Sequence, residues 1–162
     1  MRVLRLCAWL GIVAAGGVAI GFAAAAVQRV GFSPVLILSL LLGGALGAAA
    51  VGAATVFRVH PRALILGTLF ASVVLVFSQH FGLYQTYVAG WQQAQVEQPE
   101  LALFRNAPPG FFEYLRRESA GGRVWLWLLD AAVVTVTAAW VVVRATKALP
   151  ALRPACGEVT ME

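Results

Sequence analysis

Four long apolar runs, 6–27, 34–57, 62–84 and 124–143, alternate along this chain with short stretches that hold nearly all of its charge. At about 1.5 Å per helical residue, each run covers a hydrocarbon core of about 30 Å. Hydrocarbon offers the backbone no hydrogen-bond partner, so spans that pair their own N–H and C=O groups as helices are the natural solution. The pattern predicts an all-α, polytopic membrane protein, one domain over residues 1–162 with four transmembrane helices. The first run follows Met1-Arg2-Val3-Leu4-Arg5 and ends near Ala23-Ala24-Ala25, features also found in a cleaved signal peptide. Its length, and the second span that follows almost at once, favour a retained helix.

The boundaries carry their own signals. Ser33-Pro34 opens the second run with a capping hydroxyl and a proline at the first turn, where its missing N–H is harmless. Arg58-Val59-His60-Pro61-Arg62 is a turn into the third. There the helical pattern persists beyond the apolar stretch through Gln79, His80, Tyr84, Tyr87 and Trp91, and amphipathic rings favour the headgroup layer, so the chain leaves the lipid near Tyr84. Residues 92–122 are polar and broken by Pro99, Pro108, Pro109 and Gly110, the makings of an extramembrane loop. Within it Phe111, Tyr114 and Leu115 share one helical face while Glu113, Arg116 and Arg117 lie elsewhere, which predicts a short interfacial helix between spans three and four. Trp125 and Trp127 near one end of the last run and Trp140 near the other mark its two interfaces. The tail, 145–162, reads as a loose surface segment.

Inside the second run Gly43/Gly47 and Gly44/Ala48/Gly52 form two overlapping registers of small residues at four-residue spacing, and Gly17 and Gly21 repeat that spacing in the first. Small residues let helix backbones approach closely and gain dispersion contacts in lipid. The expectation is a tight hairpin of spans one and two, with dimer formation as the alternative use of these faces.

Composition sharpens this picture. The chain is 60% hydrophobic and 12% charged, against about 25% charged in soluble domains. Of twelve basic residues eleven are Arg, which with abundant Ala, Val and Gly fits a GC-rich bacterial genome. The net charge of +5 forms no basic stripe interleaved with aromatics, so a membrane-orienting role is the better reading and no nucleic-acid partner is expected. Instead it orients the spans. One side would carry Arg2, Arg5, Arg58, Arg62, Arg144, Lys147 and Arg153, the other Arg29, Arg105, Arg116, Arg117 and Arg123. The excess on the first side predicts a multi-pass protein of the bacterial inner membrane with both termini cytoplasmic.

Candidate chemistry is sparse. Among the Asp, Glu, Lys and Arg side chains, Asp130 alone lies well inside a long apolar run, and a charge at that depth tends to face other helices or a water-filled cavity. His80 lies at comparable depth on the neighbouring span, so a His80–Asp130 pair is expected, either as a structural tie or as a proton relay. Thr68, Ser72 and Gln79 line one side of the third span, and Thr135 and Thr137 add hydroxyls on the fourth. Such hydroxyls either form a polar pathway or bond their own backbone. His60 reads as a turn residue. Some 20 residues, or about 30 Å of helix, separate it from His80, so the two cannot ligate one haem iron. Cys7 and Cys156 have no partner at metal or redox spacing, and HExxH, GxSxG and phosphate-loop motifs are absent. No cofactor or metal is called for.

The Gly/Ala-rich hairpin, the series Gln79-His80-Phe81-Gly82-Leu83-Tyr84 and the stretch Phe112-Glu113-Tyr114-Leu115 together resemble small four-span bacterial inner-membrane proteins of no assigned activity. The resemblance implies a fold and no chemistry; the paired-cysteine tail frequent in such proteins is reduced here to Cys156. The functional expectation is a non-enzymatic membrane scaffold or accessory subunit, contacting the lipid bilayer and a membrane-protein partner or a second copy. The alternative is a small proton- or ion-coupled transporter using Asp130 and His80.

Overall fold

The computed structural model describes residues 2–29, 35–57, 59–97, 107–118 and 124–148. Ser33, Pro34, most of 98–122 outside the short helix, and the tail from residue 149, Cys156 included, lie outside the described residues. The elements are α1 (Arg2–Arg29), α2 (Val35–Phe57), α3 (Pro61–Glu97), α4 (Phe111–Glu118) and α5 (Val124–Ala148). Four of them, α1, α2, α3 and α5, are long and apolar enough to cross a membrane. The chain is thus an all-α, multi-pass membrane protein with a fifth, short helix between its last two spans.

Large apolar side chains cover much of the outer surface, Leu66 and Val136 among them, because lipid and not water bathes this face. The helices are held from inside by a seam of small and aliphatic residues: Val13, Leu46, Ala50, Leu64, Leu75 and Val134 are buried. Trp9 is buried among them and donates its indole N–H to Ala50 O at 3.2 Å. Its ring lies where a side chain on Gly67 would stand, so Gly67 is the position that makes room for it.

Helix adjacency differs from the expected tight hairpin of spans one and two. α1 packs chiefly on α3 and α2 chiefly on α5, while the α1–α2 and α3–α5 contacts are lesser and α2 touches α3 across the diagonal. The glycines explain the arrangement. A Cβ on Gly17 would stand 3.0 Å from Ala71 O, and one on Gly21 2.6 Å from Leu75 O, so this ladder is spent on α3. Gly43 and Gly47 meet Val134 O and Ala138 O of α5 in the same way. Both close pairs advance in step along their partners, so they join helices that run in the same direction. Gly44 and Gly52, expected as packing residues too, have nothing within 4 Å. One register of α2 binds α5 and the other is left open.

Two boundaries also shift. α3 stays helical to Glu97, six residues into the stretch expected to begin the loop, and α5 continues to Ala148, past the expected start of the tail. Both extensions follow from helix-favouring sequence, Gln92-Gln93-Ala94-Gln95 and Ala145-Thr146-Lys147-Ala148, with no proline or glycine to stop them.

Candidate functional site

The polar groups at membrane depth gather where α3 and α5 approach the end of the bundle that carries α4. α5 places Asp130 six residues after Val124, turned inward and 8% exposed. Its partner is Ser39 of α2, whose hydroxyl donates to Asp130 Oδ1. The hydrogen bond to Asp130 thus comes from α2, while His80, the partner expected from the sequence, lies within electrostatic range of the acid. The bond arises from the parallel α2/α5 seam: Ser39, Gly43 and Gly47 follow each other at four-residue spacing, and so do the facing Asp130, Val134 and Ala138. Ser39 is fully buried and extends the glycine ladder by one turn toward the helix start. The signal was legible as Ser-x3-Gly-x3-Gly, but a serine is not conspicuous beside glycines until its partner is known.

His80 instead lays its imidazole against the indole of Trp127, ring centroids 4.6 Å apart. Trp127, expected as an interfacial anchor, therefore turns into the α3/α5 contact, while Trp125 and Trp140 remain exposed on the outer surface. Trp127 follows Trp125 by two residues, about 200° around a helix, which puts the two rings on opposite sides. His80 is close enough to Asp130 for their charges to interact, yet its Nε2 is buried with no hydrogen-bond partner among the described residues. Gln79, 2% exposed, faces the α1 side beside Gly21, and its Oε1 likewise has no partner there.

The hydroxyls of Thr68, Ser72 and Ser78 on α3 are used locally. Thr68 donates to Leu64 O at 2.7 Å, Ser72 to Thr68 O at 2.9 Å and Ser78 to Val74 O at 2.7 Å. Such bonds to the preceding turn satisfy a hydroxyl without a second helix. Thr68 and Ser72 are thus buried groups each bonded to their own helix, and Ser72 also lines a cavity between α3 and α5.

Between α3 and α5 lies a half-open cavity of about 250 Å³. Its α3 wall includes Ser72, Val76 and His80, its α5 wall Trp127, Ala131 and Thr135, and Leu115 of α4 also lines it. α4 is held there by aromatic contacts. Phe111 packs edge-on against Phe77 at 5.2 Å and Phe81 at 5.3 Å, and Tyr114 meets Tyr84 at 5.5 Å and Tyr87 at 5.4 Å. Each such pair is worth about 0.5–1.5 kcal/mol beyond its area. Tyr84 adds a hydrogen bond from its hydroxyl to Pro109 O at 3.0 Å. Tyr84 and Tyr87 thus clamp α4 onto α3, while Trp91 stands farther out on the same helix, half-buried.

On the outer face of α4, Glu113 accepts from Arg116 at 3.0 Å and Arg117 at 3.1 Å. The hydrogen bond from Arg116, followed by that from Arg117, holds its carboxyl below the ordinary glutamate range. No group of three or more His, Cys, Asp or Glu side chains that could hold a metal occurs among the described residues. The arrangement buries an acid against a serine, sets a histidine against a tryptophan in a tilted ring contact, and lines an apolar slot with residues of α3, α5 and the short α4. No family model, curated protein or solved structure matches this chain.

Proposed function

We propose that the chain is a non-enzymatic scaffold or accessory subunit of a membrane assembly in the bacterial inner membrane, with both termini cytoplasmic. The observation that carries this reading is the length of α3. From the expected lipid exit at Tyr84 it continues unbroken to Glu97, about 20 Å at 1.5 Å per residue. A projecting helix that exposes Tyr87 and Val96, beside an α4 that exposes Phe112, offers a partner a braced, partly apolar surface outside the lipid. The site also fits a structural role, since Asp130 is tied to Ser39 and the hydroxyls of Thr68 and Ser72 are bonded to their own helix.

Photo-crosslinking in the native membrane tests it. A photoreactive residue at Val96 should give one adduct of defined mass, and one at the lipid-facing Leu66 should give none. Silence at Val96 together with a partnerless monomer after gentle detergent extraction would remove the reading. The transporter alternative rests on Asp130 lying within electrostatic range of His80 at membrane depth. Proton- or ion-driven uptake in liposomes that disappears in Asp130→Asn would favour it, and uptake that survives that substitution would eliminate the site.

A further inference from the structure

The cavity between α3 and α5 has no part in the scaffold reading and stands independently of it. Its walls are two matched stripes. On α3, Ser72, Val76 and His80 recur every four residues, and on α5 so do Trp127, Ala131 and Thr135. Eight residues of helix make a slot about 12 Å long, aligned with the helix axes. The two helices run in opposite directions, so His80 and Trp127 meet in a tilted ring contact at one end while Ser72 and Thr135 stand at the other. Leu115 lines the slot from the short helix whose Phe111 packs on Phe77, Phe81 and Tyr84, which puts it toward the His80 end.

Between these ends the lining is apolar, and the rim residues Val73 and Phe77 are exposed on the lipid-facing surface. The entrance therefore lies in hydrocarbon, where a solute arrives by lateral diffusion in the bilayer. An apolar cavity of about 150 Å³ stays dry and takes up benzene, so about 250 Å³ accommodates a single alkyl chain. One further group shapes the preference. His80 Nε2 has no hydrogen-bond partner among the described residues, and it belongs to the ring that lines the Trp127 end of the slot, some four residues inside the expected membrane exit. A buried polar atom left unpaired is unfavourable, and a ligand oxygen that reaches it recovers that loss.

We propose that the slot between α3 and α5 is a binding site for one alkyl chain ending in a hydrogen-bonding oxygen, with the chain lying between Val76 and Ala131 and the oxygen at His80, toward Leu115. This chemistry has two sources, the acyl ester of a bilayer phospholipid and a free long-chain fatty acid. Binding in this way requires the imidazole to turn on Trp127 so that Nε2, carrying the ring proton, faces the slot and donates to the oxygen.

The test is native mass spectrometry of the full chain, first as extracted and then after delipidation and titration with dodecanoic acid or with a dioleoyl phospholipid in mixed micelles. The wild type should hold one such molecule per chain. Filling the slot from either wall, with Ala131→Phe or Val76→Phe, should weaken binding at least tenfold, and Ala132→Phe on the exposed side of α5 should not. His80→Leu should weaken binding of both probes about tenfold, because it removes the group that meets the oxygen while leaving the slot intact. Recovery of the phospholipid in the extracted chain identifies a bilayer source; recovery of the fatty acid alone identifies the free one. Melting curves for each variant separate loss of binding from loss of fold. Wild-type protein that binds neither probe overturns the assignment, as do folded slot-filling variants that bind as tightly as the wild type.

Discussion

Adding a single methyl at Gly43 should weaken the bundle, whereas the same change at Gly44 should not. A Cβ on Gly43 would lie 2.5 Å from Val134 O and 2.9 Å from Thr137 Cβ, and the nearest atom belongs to helix backbone that cannot rotate away. To restore ordinary van der Waals contact, α2 and α5 must part by roughly 0.9 Å, a radial gap that forfeits a quarter to a half of each contact's attraction. With about 40 atom pairs at about 0.15 kcal/mol each, the number a buried leucine makes, the loss is about 1.5–3 kcal/mol. That matches the 1–3 kcal/mol typical of overpacking. The Ser39–Asp130 hydrogen bond lies one turn away on the same seam and is stretched by the same movement. Gly44→Ala meets nothing within 4 Å and exchanges a poor helix former for the best one, a gain of up to about 1 kcal/mol. Reversible unfolding in mixed detergent micelles, followed by circular dichroism, measures both. Equal effects for the two variants, or a larger loss at Gly44, would refute the assignment of the two registers.

Ser39→Ala leaves Asp130 buried without its hydrogen bond and should destabilise the protein by about 1–3 kcal/mol. In a double-mutant cycle with Asp130→Ala the two losses should be clearly less than additive, and additive losses would mean the contact contributes nothing. At α4, Tyr84→Phe removes the bond to Pro109 O, so amide exchange over Phe111–Glu118 should quicken while the four spans melt as before. Acid should loosen α4 as well. The Glu113 carboxyl is held below its ordinary value of 4.5, so its contribution is complete above that value and is lost as the pH falls through the lower folded value. Exchange over α4 should therefore be constant from neutral pH down to about 4.5 and accelerate below it relative to the unfolded-chain rate. The same rise in Glu113→Gln at neutral pH would tie it to that carboxyl.

The four spans, the short helix over Phe111, Tyr114 and Leu115, and the inward-facing acid were readable from the one-dimensional order of residues. Each depends on a local quantity: a run of apolar side chains long enough for the hydrocarbon, a helical face, or a charge out of place in lipid. Small residues at four-residue spacing also announced close helix packing. Their partners were not readable, because in a bundle every span is within reach of several others and hydropathy does not encode rotation about the helix axis. Only the tertiary arrangement sent Gly17 and Gly21 to α3 and Gly43 and Gly47 to α5, and left Gly44 and Gly52 uncovered. The same undetermined rotation decided that Asp130 meets Ser39 and that His80 packs against Trp127. It also decided that Trp9, unremarkable in an apolar run, reaches the backbone of α2 from the space beside Gly67. Composition along the chain determines which segments enter the membrane, and the matching of small surfaces between helices determines which polar groups find each other there.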